Sequence, residues 1–77
     1  MPESEKITVL LTKQEALVLF DYLHRCDDEG RYSFADQAEQ RVLWTLEGQL
    51  EKSITEIFDP GYRKLLEAAW AQVRDNE

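Results

Sequence analysis

Thr12-Lys13-Gln14-Glu15-Ala16-Leu17-Val18-Leu19-Phe20 decides the fold class. Its first four residues match a capping box, in which the Thr12 hydroxyl accepts from the Glu15 amide and the Glu15 carboxylate reaches back to the Thr12 amide. A helix therefore starts here and runs to about Glu29, with Gly30 as its stop. At about 100° per residue, Ala16, Leu17, Phe20, Leu23 and His24 share one face, as in a helix laid on a core. Val18, Tyr22 and Cys26 form a second stripe on another face. Asp27, Asp28 and Glu29 follow at the end where the helix dipole is negative, which weakens the last turn.

Upstream, Ile7-Thr8-Val9-Leu10-Leu11 is short, apolar and partly β-branched, which predicts a short N-terminal strand; residues 1–5 read as a disordered tail. A lone strand leaves a row of unpaired backbone groups, so it must pair with Ile54–Phe58 or with its own copy in a second chain. Downstream, Arg31 to Phe34 form a connection, and Ser33 with Asp36 offers a weaker capping pair for a second helix. That helix runs to about Lys52 and sets Ala35, Ala38, Val42, Leu43, Leu46 and Leu50 on one face. Gln37, Arg41, Trp44, Gly48 and Glu51 lie opposite, so Trp44 points away from the core. Ser53 to Phe58 suits either a strand or a helix end. Asp59-Pro60-Gly61 marks a third helix, with Asp59 as N-cap and Pro60 at the first helical position. It continues to about Arg74, with Tyr62, Leu65, Leu66, Ala69, Trp70 and Val73 turned inward. The fold class expected is mainly α (α+β), a three-helix unit with a short strand, in which residues 1–77 form one domain.

The segment Ala35-Asp36-Gln37-Ala38-Glu39-Gln40-Arg41-Val42-Leu43-Trp44-Thr45-Leu46-Glu47, between the Leu-Thr-Lys-Gln-Glu-Ala helix start and Phe58-Asp59-Pro60, resembles a group of small uncharacterised bacterial proteins. The resemblance covers nearly the whole chain. It implies a bacterial origin and carries no functional residue with it.

Hydrophobic residues at 43% and charged residues at 32% are the proportions of a folded chain, and 77 residues wrap one hydrophobic core at most. A core that small usually needs a staple, a metal, very regular packing or a second copy of the chain. Lys and Arg number 9 against 16 Asp and Glu, and the resulting charge of -7 repels phosphate backbones and anionic headgroups. Neither nucleic acid nor membrane is expected as a partner. No apolar run approaches the ~18 residues of a membrane span. A single Cys26 forms no internal disulfide, and Met1 to Leu11 lack the pattern of a secretion signal; a cytoplasmic location is the expectation.

The inventory of reactive groups is small. One His and one Cys are too few for a metal site, and His24 and Cys26, two residues apart on a helix, diverge by about 200°. No metal and no cofactor are expected. Cys26 lacks a base within reach and reads as a small apolar residue. Glu39 falls within the apolar arc of the second helix, where a lone charge is costly; His24 or an arginine is its expected partner. Asp27-Asp28-Glu29-Gly30 lacks the spaced oxygen ligands of a calcium loop.

Once each helix has turned its best face inward, apolar groups are left over. Val18, Tyr22, Cys26, Trp44 and Gly48 are the candidate interface, since Trp and Tyr concentrate where proteins meet and a mid-helix glycine costs ~1 kcal/mol unless something approaches closely. The role expected is a non-enzymatic, homodimeric binding or adaptor module. An acidic, antitoxin-like or immunity-like inhibitor of a basic protein is the alternative, and a small enzyme built on Glu39 and His24 ranks third.

Overall fold

Helix begins just after Thr12 in the computed structural model, which describes residues 5–75. Both halves of the capping box are present: the Glu15 amide donates to the Thr12 hydroxyl over 3.1 Å, and the Thr12 amide to the Glu15 carboxylate over 2.8 Å. Helix α1 spans Lys13–Glu29 and ends on Gly30, which takes the left-handed conformation at φ 64°. The Gly30 amide reaches the Asp27 carbonyl and the Arg31 amide the Cys26 carbonyl, the paired bonds of a Schellman motif.

Helix α2 spans Gln37–Ser53, a 3₁₀ turn follows at Thr55–Phe58, and helix α3 spans Tyr62–Asp75. The second helix is capped by Asp36, whose carboxylate accepts from the Ala38 amide over 2.8 Å. Ser33 is therefore not the cap; a carboxylate directly before the first turn satisfies the free amides and also meets the positive end of the dipole. Ahead of α3, the Asp59 carboxylate accepts from the Gly61 amide, and the first backbone bond of the helix runs from Leu65 to Gly61. The cap position thus falls on Gly61, and Asp59 and Pro60 belong to the preceding turn.

No strand is present among the described residues. Residues 6–12 take no regular element, and Ile54 to Phe58, the expected strand partner, is committed elsewhere. Ile54 closes α2 through its amide on the Leu50 carbonyl and is buried, and the 3₁₀ turn ends where the Asp59 amide meets the Glu56 carbonyl. With its only internal candidate coiled, the amino-terminal segment has nothing to ladder with. The mainly helical reading stands. The expected tail falls largely on residues 1–4, outside the described residues.

Helix α1 is the central element. It packs against α3 along one side and against α2 along another, while α2 and α3 do not pack on each other. Leu17, Phe20 and Leu23 of α1 meet Leu50, Ile54, Leu66 and Ala69 in one core. Each leucine, isoleucine or phenylalanine among them contributes about 1.5–3 kcal/mol by leaving water. Flanked twice, α1 buries a wider arc than one amphipathic stripe, and Cys26, expected at a contact surface, is only 3% exposed. The arrangement stays open: the radius of gyration is 14.1 Å, against about 11.5 Å for a compact chain of this length.

Candidate functional site

Along α2, apolar groups stay in contact with water. Val42 is 65% exposed, and Val42, Leu46 and Thr45 line one shallow hollow with the stem of Arg41. A second hollow beside it is bounded by Val42, Leu43, Tyr32 and Phe34, together with Ser33 and Glu39. A third, about 370 Å³, lies between the amino-terminal segment and the helices, with Ile7, Val9 and Leu11 on one wall and Leu19, Leu46 and Leu50 on the other. Val42 and Leu46 are shared between neighbouring hollows, so the three form one continuous apolar face.

Periodicity marks the wall formed by residues 7, 9 and 11. Alternate side chains of an extended chain point the same way, and these three line the groove together. Their cover is incomplete, for Ile7 is 91% exposed and Val9 74%. Among the described residues, no hydrogen-bond partner is found for the main chain of residues 6–11.

The expected interface is divided by the fold. Tyr22 and Trp44 are each about half exposed, whereas Cys26 is buried and Val18 packs against the core. Trp44 lies against the end of α1, with its indole Nε1 3.3 Å from Asp27 Oδ1. Gly48 is half-buried, and a Cβ built on it would meet nothing within 4 Å, so no close approach within the chain explains the glycine.

His24 and Glu39 are not brought together. His24 stacks on Phe20 and sets Nδ1 3.2 Å from Glu47 of α2, whereas Glu39 is exposed and accepts from the Ala35 amide over 2.8 Å. The apolar arc of α2 is uncovered at that end, so Glu39 escapes the desolvation that its helical angle foretells. No group of three or more His, Cys, Asp or Glu among the described residues is placed to hold a metal ion.

One polar cluster escaped the sequence reading. Asp21 is the buried charged residue of the core, accepting from Arg25 Nε over 2.7 Å and from the Tyr62 hydroxyl over 2.8 Å. Burial, and then the Asp21 carboxylate, push the Tyr62 phenol well above its ordinary range; Asp21 raises Arg25 in turn. The visible signal was the Asp21-Arg25 spacing of four at the flank of the α1 stripe. Its third member, 41 residues away, was hidden among the apolar positions of α3. Elsewhere Lys13 holds Glu56 at 2.8 Å and lowers its carboxyl below the usual range, while the other Glu56 oxygen is buried without a partner. Burial raises Tyr32, whose hydroxyl donates to the Leu23 carbonyl, and the Cys26 thiol beside Tyr22 raises that phenol.

These clusters tie helices together. The Asp21 carboxylate and the Tyr62 phenol are spent on one another, whereas Lys13 and Glu56 line a small hollow of about 180 Å³ with Leu17, Leu65 and Ala69. Compared with models of known protein families, with curated proteins and with solved structures, the chain matches none. No helix of the described residues is long and apolar enough to cross a membrane. What remains as a site is the uncovered face of α2 and the segment beside it.

Proposed function

We propose that this protein is a non-catalytic binding module that works as a homodimer, with the outer face of α2 as its contact. The observation that carries this reading is the continuous apolar face through Val42 and Leu46, left open because α3 packs on α1 and the 3₁₀ turn but not on α2. An apolar face of this extent on so small a chain marks an interaction surface. This reading sets the contact on the side of α2 opposite Trp44, in place of the expected Val18, Tyr22, Cys26, Trp44 and Gly48.

Equilibrium sedimentation at micromolar concentration tests it. The expected mass is twice 9.0 kDa, falling to the single-chain mass in Val42→Asp, which buries a charge at the contact but alters only an exposed position of the monomer. A wild-type chain that sediments at 9.0 kDa throughout overturns the reading.

The net charge of -7 favours a second reading, an acidic inhibitor that neutralises a basic protein. Asp27, Asp28 and Glu29 lie exposed at the end of α1 beside the half-exposed Trp44. Binding of this kind weakens steeply as salt is raised, so a partner retained equally at high and low salt argues against it.

A further inference from the structure

We propose that residues 6–11 of two copies pair as an antiparallel two-stranded ribbon, centred on Val9, that roofs the groove against α1 and α2 in both chains. The proposal rests on the homodimer reading and names how the two copies engage. Three observations carry it.

The first is backbone chemistry. A segment of strand-forming residues lies outside any regular element, with residues 7, 9 and 11 lining the groove and no main-chain partner among the described residues. Such an edge is complemented only by another strand, and a second copy supplies one of matching length and alternation. Antiparallel pairing about a twofold axis at Val9 sets Ile7 opposite Leu11 of the other copy. Directly opposed residues share a face, so each ribbon turns six apolar side chains toward the two grooves.

The second is area. The chain exposes 6442 Å², whereas a compact monomer of its mass exposes about 4,900 Å². The excess, roughly 1,500 Å², surpasses the ~800 Å² that each partner commits to a stable interface. The third is charge. Although the chain carries -7, no carboxylate lines the groove or the adjoining hollow of Val42 and Leu46, and Arg41 at the rim is the charged residue there. Two acidic copies can meet over the groove and that hollow without opposing like charges. A basic partner would find nothing in these two hollows to neutralise; Glu39 lines the next hollow along the face.

The test is cysteine cross-linking of the full chain, together with amide hydrogen exchange resolved by residue. Under mild oxidation Val9→Cys is expected to give a disulfide-linked dimer. Ile7→Cys, about 14 Å from its symmetry mate along an antiparallel ribbon, is expected to remain single. The unsubstituted chain, with Cys26 buried, is the control. Amides 7–11 are expected to show protection at alternate residues that grows with protein concentration, because only one edge of each strand faces the other. A wild-type dimer with unprotected amides and no Val9→Cys cross-link overturns the ribbon and leaves the α2 contact standing. A wild-type monomer overturns both. Protection that appears only after addition of a different protein assigns the groove to that partner and refutes self-pairing.

Discussion

The two sides of α1 are built differently. Against α3 it presents Leu17 and Asp21, and α3 answers with Leu66, Ala69 and the Tyr62 hydroxyl, so apolar packing and a buried hydrogen-bond cluster lie on one seam. Against α2 it offers Leu19 and Leu23, but α2 leans on it by one edge, meets it in the exposed His24–Glu47 contact and leaves Val42 in water. The contrast separates the part of the sequence that closes the core from the part that leaves apolar groups exposed. Polar residues of the first seam have partners, whereas Val42 beside the second stays in water.

If that division is right, substitutions on the α3 seam should unfold the chain, and those on the open face should not. The largest effect is expected from Leu66→Ala. Leu66 is 1% exposed between α1 and the 3₁₀ turn, and truncation there should cost about 3 kcal/mol, read as a lower urea midpoint at fixed protein concentration. Val42→Asp should shift the monomer by no more than about 0.5 kcal/mol and yet abolish the concentration dependence of the midpoint. A Leu66→Ala chain as stable as wild type would place the core elsewhere.

Next comes the polar cluster on the same seam. Asp21→Ala strands the Tyr62 hydroxyl and removes a charge-assisted bond from Arg25, at about 2 kcal/mol, and Tyr62→Phe should cost about 1 kcal/mol. The double variant should be less costly than the two singles together, because both remove one shared bond. Tyr62→Phe also tests the pH dependence. The folded state holds this phenol neutral beyond its ordinary 10.0, so its contribution is intact below pH 10 and lost as the pH rises above it. In the phenylalanine variant that alkaline loss should shrink.

These residues also show what the sequence discloses. The capping box at Thr12, the stop at Gly30 and the turn at Asp59-Pro60-Gly61 are local chemistry, and the helices they bound are where the spacing puts them. Strand against coil at residues 7–11 is not local. Composition makes a segment able to form a strand, but a ladder needs a second edge, and Ile54 to Phe58 turned out to be a buried helix end and a 3₁₀ turn. The burial of Cys26 was hidden for a related reason: how wide an arc α1 covers depends on how many neighbours it has. The candidate face was half legible, since Val42 and Leu46 were read as one stripe but assigned to the core. That α3 would leave the stripe uncovered follows from the packing of the three helices, which no single helix encodes.

A smaller change probes the far side of α2. Gly48 occupies a helix interior, has no positive φ, and leaves open space where a Cβ would go. Gly48→Ala should therefore stabilise the chain by about 0.5–1 kcal/mol in thermal or urea unfolding, with the dimer intact. If the glycine instead serves close approach of a second protein on the Trp44 side, alanine will stabilise the isolated chain and weaken that association. The two faces of α2 can be told apart in this way.

The finest distinction concerns the Lys13–Glu56 pair, which joins the start of α1 to the 3₁₀ turn on the closed side of the molecule. Lys13 is largely in solvent and Glu56 much less so, so the attraction is screened on one side only. Because the folded carboxyl is held below its ordinary 4.5, the unfolded chain binds the proton first as the solution is acidified. The stabilisation from this group is complete above pH 4.5 and disappears as the pH falls through the lower folded value. Glu56→Gln should remove that portion of the acid sensitivity while leaving the alkaline limb set by Tyr62 unchanged. Urea midpoints collected for both chains between pH 3 and 7 should converge at the acid end and separate toward neutrality. Curves that stay parallel throughout would show that Lys13 gives Glu56 no more than solvent does, and that packing alone holds the closed side at this corner.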